Sequence, residues 1–105
     1  MYGAIIEFEI KANRIDEFKN IWESAVAKAK KEGLVSPFLL VEAQSGRCRH
    51  IGFWRTAEGA KSWPSTQSYK DFLVSVQELV LSPPRRDVCE VMGDILGILE
   101  QKNAA

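Results

Sequence analysis

The sequence predicts an α+β domain in which four antiparallel strands form one sheet and the helices cover a single face of it. Three observations carry that expectation. Hydrophobic residues alternate with period two over Tyr2–Ile10 and Arg47–Trp54. They recur at three- and four-residue spacing over Arg14–Lys31 and again over Tyr69–Val80. The elements follow one another as strand–helix–strand, strand–helix–strand, two βαβ halves whose right-handed crossovers place the first strand beside the third and fourth.

In the first strand Tyr2, Ala4, Ile6, Phe8 and Ile10 share one face, while Gly3, Ile5, Glu7 and Glu9 share the other. Asn13 is placed to cap the next element, with Asp16 and Glu17 in its first turn. Ile15, Phe18, Ile21, Trp22, Ala25 and Ala29 form the apolar stripe of that helix, and Gly33 suits the position after its end. Val35–Ala43 reads as the second strand, with Phe38, Leu39, Leu40 and Val41 apolar on both faces and expected to be buried on both. Gln44, Ser45 and Gly46 make the turn into Arg47–Trp54. There Cys48, His50, Gly52 and Trp54 share the face expected to meet the helices, and Arg47, Arg49, Ile51 and Phe53 the face that looks away. Ala57–Val80 reads as helical in two pieces, broken at Trp63-Pro64 and restarted by a Ser65 cap. Arg85–Met92 is the fourth strand, and Asp94–Gln101 a short terminal helix placed to cover a sheet edge or reach a partner.

Composition narrows the function. The chain has 105 residues, which is one domain, with its core over 2–92 and residues 93–105 as a C-terminal extension. Hydrophobic residues make up 46%, more than one small core needs, and the surplus predicts a subunit interface. Lys and Arg balance Asp and Glu at 14 each, which argues against a nucleic-acid partner. No apolar run approaches the roughly 18–20 residues of a membrane span. Met1 leads directly into a strand pattern without an export signal, so a cytoplasmic location is expected. Two cysteines, Cys48 and Cys89, are too few for a disulfide framework or a zinc site and fall on strands separated by the first strand.

Residues with chemistry gather around Ile51–Phe72. His50, the single histidine, is either a general base or hydrogen-bond donor facing a ligand, or a core histidine satisfied by a neighbour. Trp63 is either a platform for a planar ligand or the anchor of the broken helix, and Tyr69 offers a hydroxyl toward the same space. Phe38 and Phe72 are expected as apolar lining, and Trp22 and Trp54 as core or interface residues. Glu7 and Glu9 are expected to pair with Arg47 and Arg49. Arg85-Arg86 is read as a solvated turn, with anion binding as its alternative. There is no glycine-rich phosphate loop and no metal-ligand cluster.

The element order, Phe53-Trp54 at the close of the third strand, Glu58, Trp63, Ser68-Tyr69 and Phe72 together resemble the antibiotic biosynthesis monooxygenase-like proteins. The resemblance covers roughly Tyr2–Met92 and implies a ferredoxin-like fold of the dimeric α+β barrel type, with two sheets packed face to face in a homodimer. It implies a ligand cavity between sheet and helices, bordered by Trp63 and Tyr69. It also implies oxidation of a planar aromatic or other apolar compound by molecular oxygen with no cofactor; combined with the placement of His50, this gives the expectation that His50 takes the substrate proton. A non-catalytic binding or stress-response module is the alternative on the same fold. Gly59 stands where such oxygenases place a polar asparagine, and Leu73 where haem-degrading relatives place an iron-ligating histidine.

Overall fold

Alternation along β1 (Tyr2–Glu9) decides the whole layout, because its two faces differ so sharply. Ala4, Ile6 and Phe8 are buried under the helices, whereas Glu9 on the other face is exposed. The computed structural model describes residues 1–93, so the helix expected over Asp94–Gln101 lies outside the described residues. Within them, β2 (Val35–Glu42), β3 (Arg47–Trp54) and β4 (Arg85–Glu90) complete a four-stranded antiparallel sheet in the order β2-β3-β1-β4. The first strand sits between the third and fourth, as the crossover argument requires.

The register follows the pattern of apolar residues. Ile6 lies opposite His50 and Phe8 opposite Cys48 on the helix side, while Glu7 faces Arg49 and Glu9 faces Arg47 on the other. Glu7 Oε1 and Arg49 Nε approach to 3.2 Å in a half-exposed ion pair. Cys48 and Cys89 are both free, the first buried and the second exposed.

Helix α1 (Ile15–Lys31) starts differently from expectation. A 3-10 turn over Ala12–Arg14 leads into it and no side chain caps it, so the Asn13 cap is not formed. Asp16 and Glu17 do occupy the first turn, where they complement the helix dipole. Its end is the expected one. Gly33 has φ +113°, its N–H donates to the Lys30 carbonyl at 3.3 Å, and Leu34 N–H donates to Ala29 at 3.0 Å. This is a Schellman closure, which needs a residue free to adopt positive φ. Gly46 meets a second such need at the β2–β3 turn. It has φ +75°, and a Cβ there would stand 2.1 Å from the Ile10 carbonyl oxygen.

The helical crossover between β3 and β4 is broken where Pro64 predicts. Helix α2 (Ala57–Ser62) passes into a 3-10 turn over Trp63–Ser65, and α3 (Gln67–Val76) begins anew. The cap is Thr66, not Ser65, because Thr66 is the residue with extended backbone there. Its hydroxyl accepts from Tyr69 N–H at 3.3 Å, while Ser65 Oγ donates back to the Ser62 carbonyl at 2.6 Å. Helix α3 also stops at Val76, short of Val80, which instead pairs with Ile10 in an isolated bridge.

The expected burial of β2 on both faces is not found within one chain. Phe38, Leu40 and Val41 are 43%, 51% and 38% exposed. As an edge strand, β2 has neither sheet neighbours nor helices enough to cover it. Ser36, with φ 45°, and Pro37 interrupt its register between Val35 and Phe38.

Candidate functional site

Three elements deliver the candidate side chains to one place. Alternation on β3 turns His50 and Trp54 toward the helices, the Trp-Pro break turns Trp63 inward, and the Thr66 cap sets α3 so that Tyr69 points the same way. The rings form a continuous aromatic cluster. His50 and Trp63 lie 5.9 Å apart by centroid, Trp54 and Trp63 5.5 Å, and Trp63 and Tyr69 meet edge-to-face at 4.8 Å. The cluster is closed. His50, Trp63 and Tyr69 are 1%, 4% and 7% exposed.

Two further residues complete it, and sequence reasoning assigned them elsewhere. Trp22 on α1 donates its indole N–H to His50 Nδ1 at 2.9 Å. Arg86 on β4 lies opposite Ile6, hence on the helix side, and is no solvated turn residue. Its guanidinium carbon sits 5.8 Å from the Trp63 ring centre and 5.9 Å from that of Tyr69, and Nη2 donates to the Ala60 carbonyl at 2.5 Å. The signal for Arg86 was Val88: residues two apart on a strand share a face, so an inward Val88 carries Arg86 inward with it.

Phe72 and Phe38 do not join these rings. Phe72 packs edge-to-face on Phe8 at 5.8 Å, in the core next to the cluster. Phe38 lies on the opposite face of the sheet, across from Ile51 and 6.3 Å from Phe53. Gly59 sits against Trp54, where a Cβ would come within 3.4 Å of the indole.

Burial sets the electrostatics. Desolvation, assisted by the nearby Arg86 charge, pushes the His50 pKa down to about 4, so the imidazole is neutral at neutral pH. Burial raises the Tyr69 hydroxyl above its ordinary value, with Arg86 partly opposing, and burial lowers Arg86. Four buried nitrogens have no hydrogen-bond partner among the described residues: His50 Nε2, Trp54 Nε1, Trp63 Nε1 and Arg86 Nε. The two indole nitrogens and the guanidinium nitrogen carry protons and are donors only. An unpaired buried donor costs about 1–3 kcal/mol, so each of these N–H groups calls for an acceptor, whether a protein group, a water or a ligand.

Open space lies elsewhere. A groove of about 490 Å³ runs along Leu73, Val76, Val80 and Pro83, and one of about 340 Å³ reaches Trp54 beside Leu34 and Gly59, but neither touches His50, Trp63 or Tyr69. Among the described residues no helix is long and apolar enough to cross a membrane, and no three His, Cys, Asp or Glu side chains gather as metal ligands.

No family model matches the chain. No curated protein matches it either. Solved structures do. A Nitrosomonas europaea protein provisionally named antibiotic biosynthesis monooxygenase superposes with TM-score 0.76 at 18% identity, covering 89% of this chain and 100% of that one. The Rv0793 protein of Mycobacterium tuberculosis does so with TM-score 0.75 at 16% identity, over 90% and 97% of the two chains. A Caulobacter crescentus protein with the same provisional name gives TM-score 0.76 at 14% identity, over 88% and 90%. These likenesses speak for architecture and not for activity: the chain has the ferredoxin-like α+β fold of the antibiotic biosynthesis monooxygenase-like proteins.

Proposed function

We propose that this chain is an oxygenase of small planar aromatic compounds that bear a carbonyl or phenolic oxygen. The observation that carries this reading is the composition of the cluster. The rings of Trp63 and Tyr69 are packed against each other in the closed cluster, so a flat ligand enters only as they part, and the N–H groups of Trp63 and Arg86 then supply donors for its oxygen. Such a site favours the enolate or phenolate over the neutral compound, since the charge is met by fixed donors out of water. The carbanion form of an activated ring methylene then reduces oxygen, and recombination yields a hydroperoxide. Loss of water leaves a carbonyl: one oxygen atom enters the product and the other departs as water. His50 is neutral and a weak base at neutral pH, so ionisation is assigned to the electrostatics of Arg86 and the N–H groups acting on an already acidic substrate, whose proton passes to solvent water and is returned to the peroxide oxygen.

Oxygen uptake with a panel of anthrones and hydroquinones tests the assignment. With an active substrate, Arg86→Met is expected to lower turnover by about 10²-fold, the usual cost of one donor to a developing oxyanion. Failure of the whole panel would remove the oxygenase reading, and unchanged rates in both Arg86→Met and Trp63→Phe would remove this cluster as its site.

The chain is further proposed to act as a homodimer through the exposed side of its sheet, where Phe38 and Leu40 lie uncovered. Sedimentation showing a monomer at micromolar concentration would refute this. A second reading, a non-catalytic dimeric binding or stress-response module, draws support from the closed packing of His50, Trp63 and Tyr69 and from Gly59. Native mass spectrometry of freshly purified protein separates the two. A retained small molecule that disappears on aeration supports turnover, and one that persists supports binding alone.

A further inference from the structure

We propose that Trp22 is a positioning residue that locks the His50 imidazole in its Nε2–H tautomer, so that His50 presents a hydrogen-bond donor and not a base beside Gly52. The argument is one of valence. An indole N–H donates and never accepts. The nitrogen that receives it, His50 Nδ1 at 2.9 Å, must therefore have a free lone pair. A neutral imidazole carries one ring proton, and with Nδ1 excluded that proton is on Nε2. The alternative tautomer would set two N–H groups against each other. It would also strand a partly buried indole donor, since no other hydrogen bond of that indole is found among the described residues.

The surroundings are consistent with a fixed ring. His50 is 1% exposed and lies between Trp22 and Trp63, at centroid distances of 6.1 Å and 5.9 Å. Its Nε2 is buried without a partner among the described residues. A Cβ at Gly52 would stand 3.0 Å from Nε2 and 2.5 Å from Leu34 Cδ1, so the glycine keeps that side of the ring clear of its own chain. His50 thereby joins the indole and guanidinium nitrogens as a further buried donor, which narrows the ligand to one presenting an acceptor oxygen, a carbonyl or an enolate. This consequence for ligand class rests on the functional reading above; the tautomer itself does not.

The test is direct because His50 is the single histidine of the chain. In uniformly nitrogen-15-labelled protein, long-range proton–nitrogen correlations at neutral pH are expected to show one protonated nitrogen at Nε2 and one unprotonated nitrogen at Nδ1. A coupling through the hydrogen bond is expected between Nδ1 and the Trp22 indole nitrogen. In Trp22→Phe the donor is gone, and both nitrogen shifts are expected to move toward the averaged values of a tautomer mixture. A proton on Nδ1 in the wild type, or a folded Trp22→Phe protein whose imidazole stays purely Nε2–H, would overturn the proposal. Should Trp22→Phe not fold, the wild-type coupling decides, its presence supporting the lock and its absence refuting it. Failure of the whole oxygen-uptake panel would remove the oxygenase reading and leave the tautomer standing on the spectrum.

Discussion

The two faces of the sheet are made by the same strands and differ by one residue of register, yet they have opposite fates. On the helix side Ala4, Ile6 and Phe8 of β1 meet Cys48 and His50 of β3 beneath α1 and α3, and all five are at most 2% exposed. On the other side Ile5 faces Ile51 and Phe38 also faces Ile51, giving an apolar end, while Glu7, Glu9, Arg47 and Arg49 give a charged end. At the apolar end Phe53 is buried within one chain, Ile5 and Ile51 are half-buried, and Phe38 is exposed. The comparison teaches that the first face is closed within the chain, whereas on the second Phe38 and Leu40 remain uncovered by their own chain.

The contrast breaks most visibly at a large core residue. Phe18 on α1 is fully buried and packs against Phe8 with tilted rings at a centroid distance of 4.9 Å. Phe18→Ala is expected to cost about 3–5 kcal/mol in chemical denaturation, transfer and cavity terms together. A cost below about 1 kcal/mol would mean that the helix side is not the closed core described.

Acid is expected to attack the same face next. His50 has a folded pKa of about 4 against an ordinary value of 6.5, so the unfolded chain takes up the proton first as pH falls. Stability from this group is complete above pH 6.5, declines as pH falls through the interval, and is lost below about 4. The difference amounts to about 3 kcal/mol at most. His50→Gln should flatten the decline between those limits. A wild-type stability that is level from pH 7 to 4 would contradict the burial of a neutral imidazole.

These two predictions rest on features of unequal legibility. The faces of β1 and β3 and the meeting of Glu7 and Glu9 with Arg47 and Arg49 were legible because period-two alternation fixes a face, although of these four only Glu7 and Arg49 close to an ion pair among the described residues. The approach of His50, Trp63 and Tyr69 was legible for the same reason. Its closure was not, because it depends on how far rings interpenetrate, which spacing does not encode. The bond from Trp22 joins residues 28 apart, and amphipathic spacing says only that Trp22 faces inward. Arg86 was missed because a charge after Pro-Pro reads as solvent-facing until the parity of Val88 is considered. Phe38 was misplaced because the irregularity between Val35 and Phe38 makes strand parity unreadable there.

On the other face the expected effects concern assembly more than folding. Phe38→Glu or Leu40→Glu should leave single-chain stability within about 1 kcal/mol, since both side chains are already substantially exposed. If the sheets pack together, either change should shift sedimentation toward the monomer, Phe38→Glu the more strongly, because its carboxylate would face Ile51 unpaired whereas one at position 40 lies opposite Arg49. Dimers that persist in both variants would place any interface elsewhere.

The smallest effect sharpens the comparison furthest. In one chain Glu7 and Arg49 are about half exposed, and an ion pair in that setting contributes about 0.2–1 kcal/mol, weakened further by salt. Glu7→Gln is therefore expected to change stability by less than about 1 kcal/mol at protein concentrations where the chain is monomeric. At concentrations where a dimer forms through this face, the same substitution leaves Arg49 with less compensation in a drier environment, and the cost is expected to rise. A cost that grows with protein concentration identifies the charged end of the face as part of the interface. Where sedimentation shows a dimer, a cost that is constant and small across the range confines the interface to the apolar end around Phe38 and Ile51.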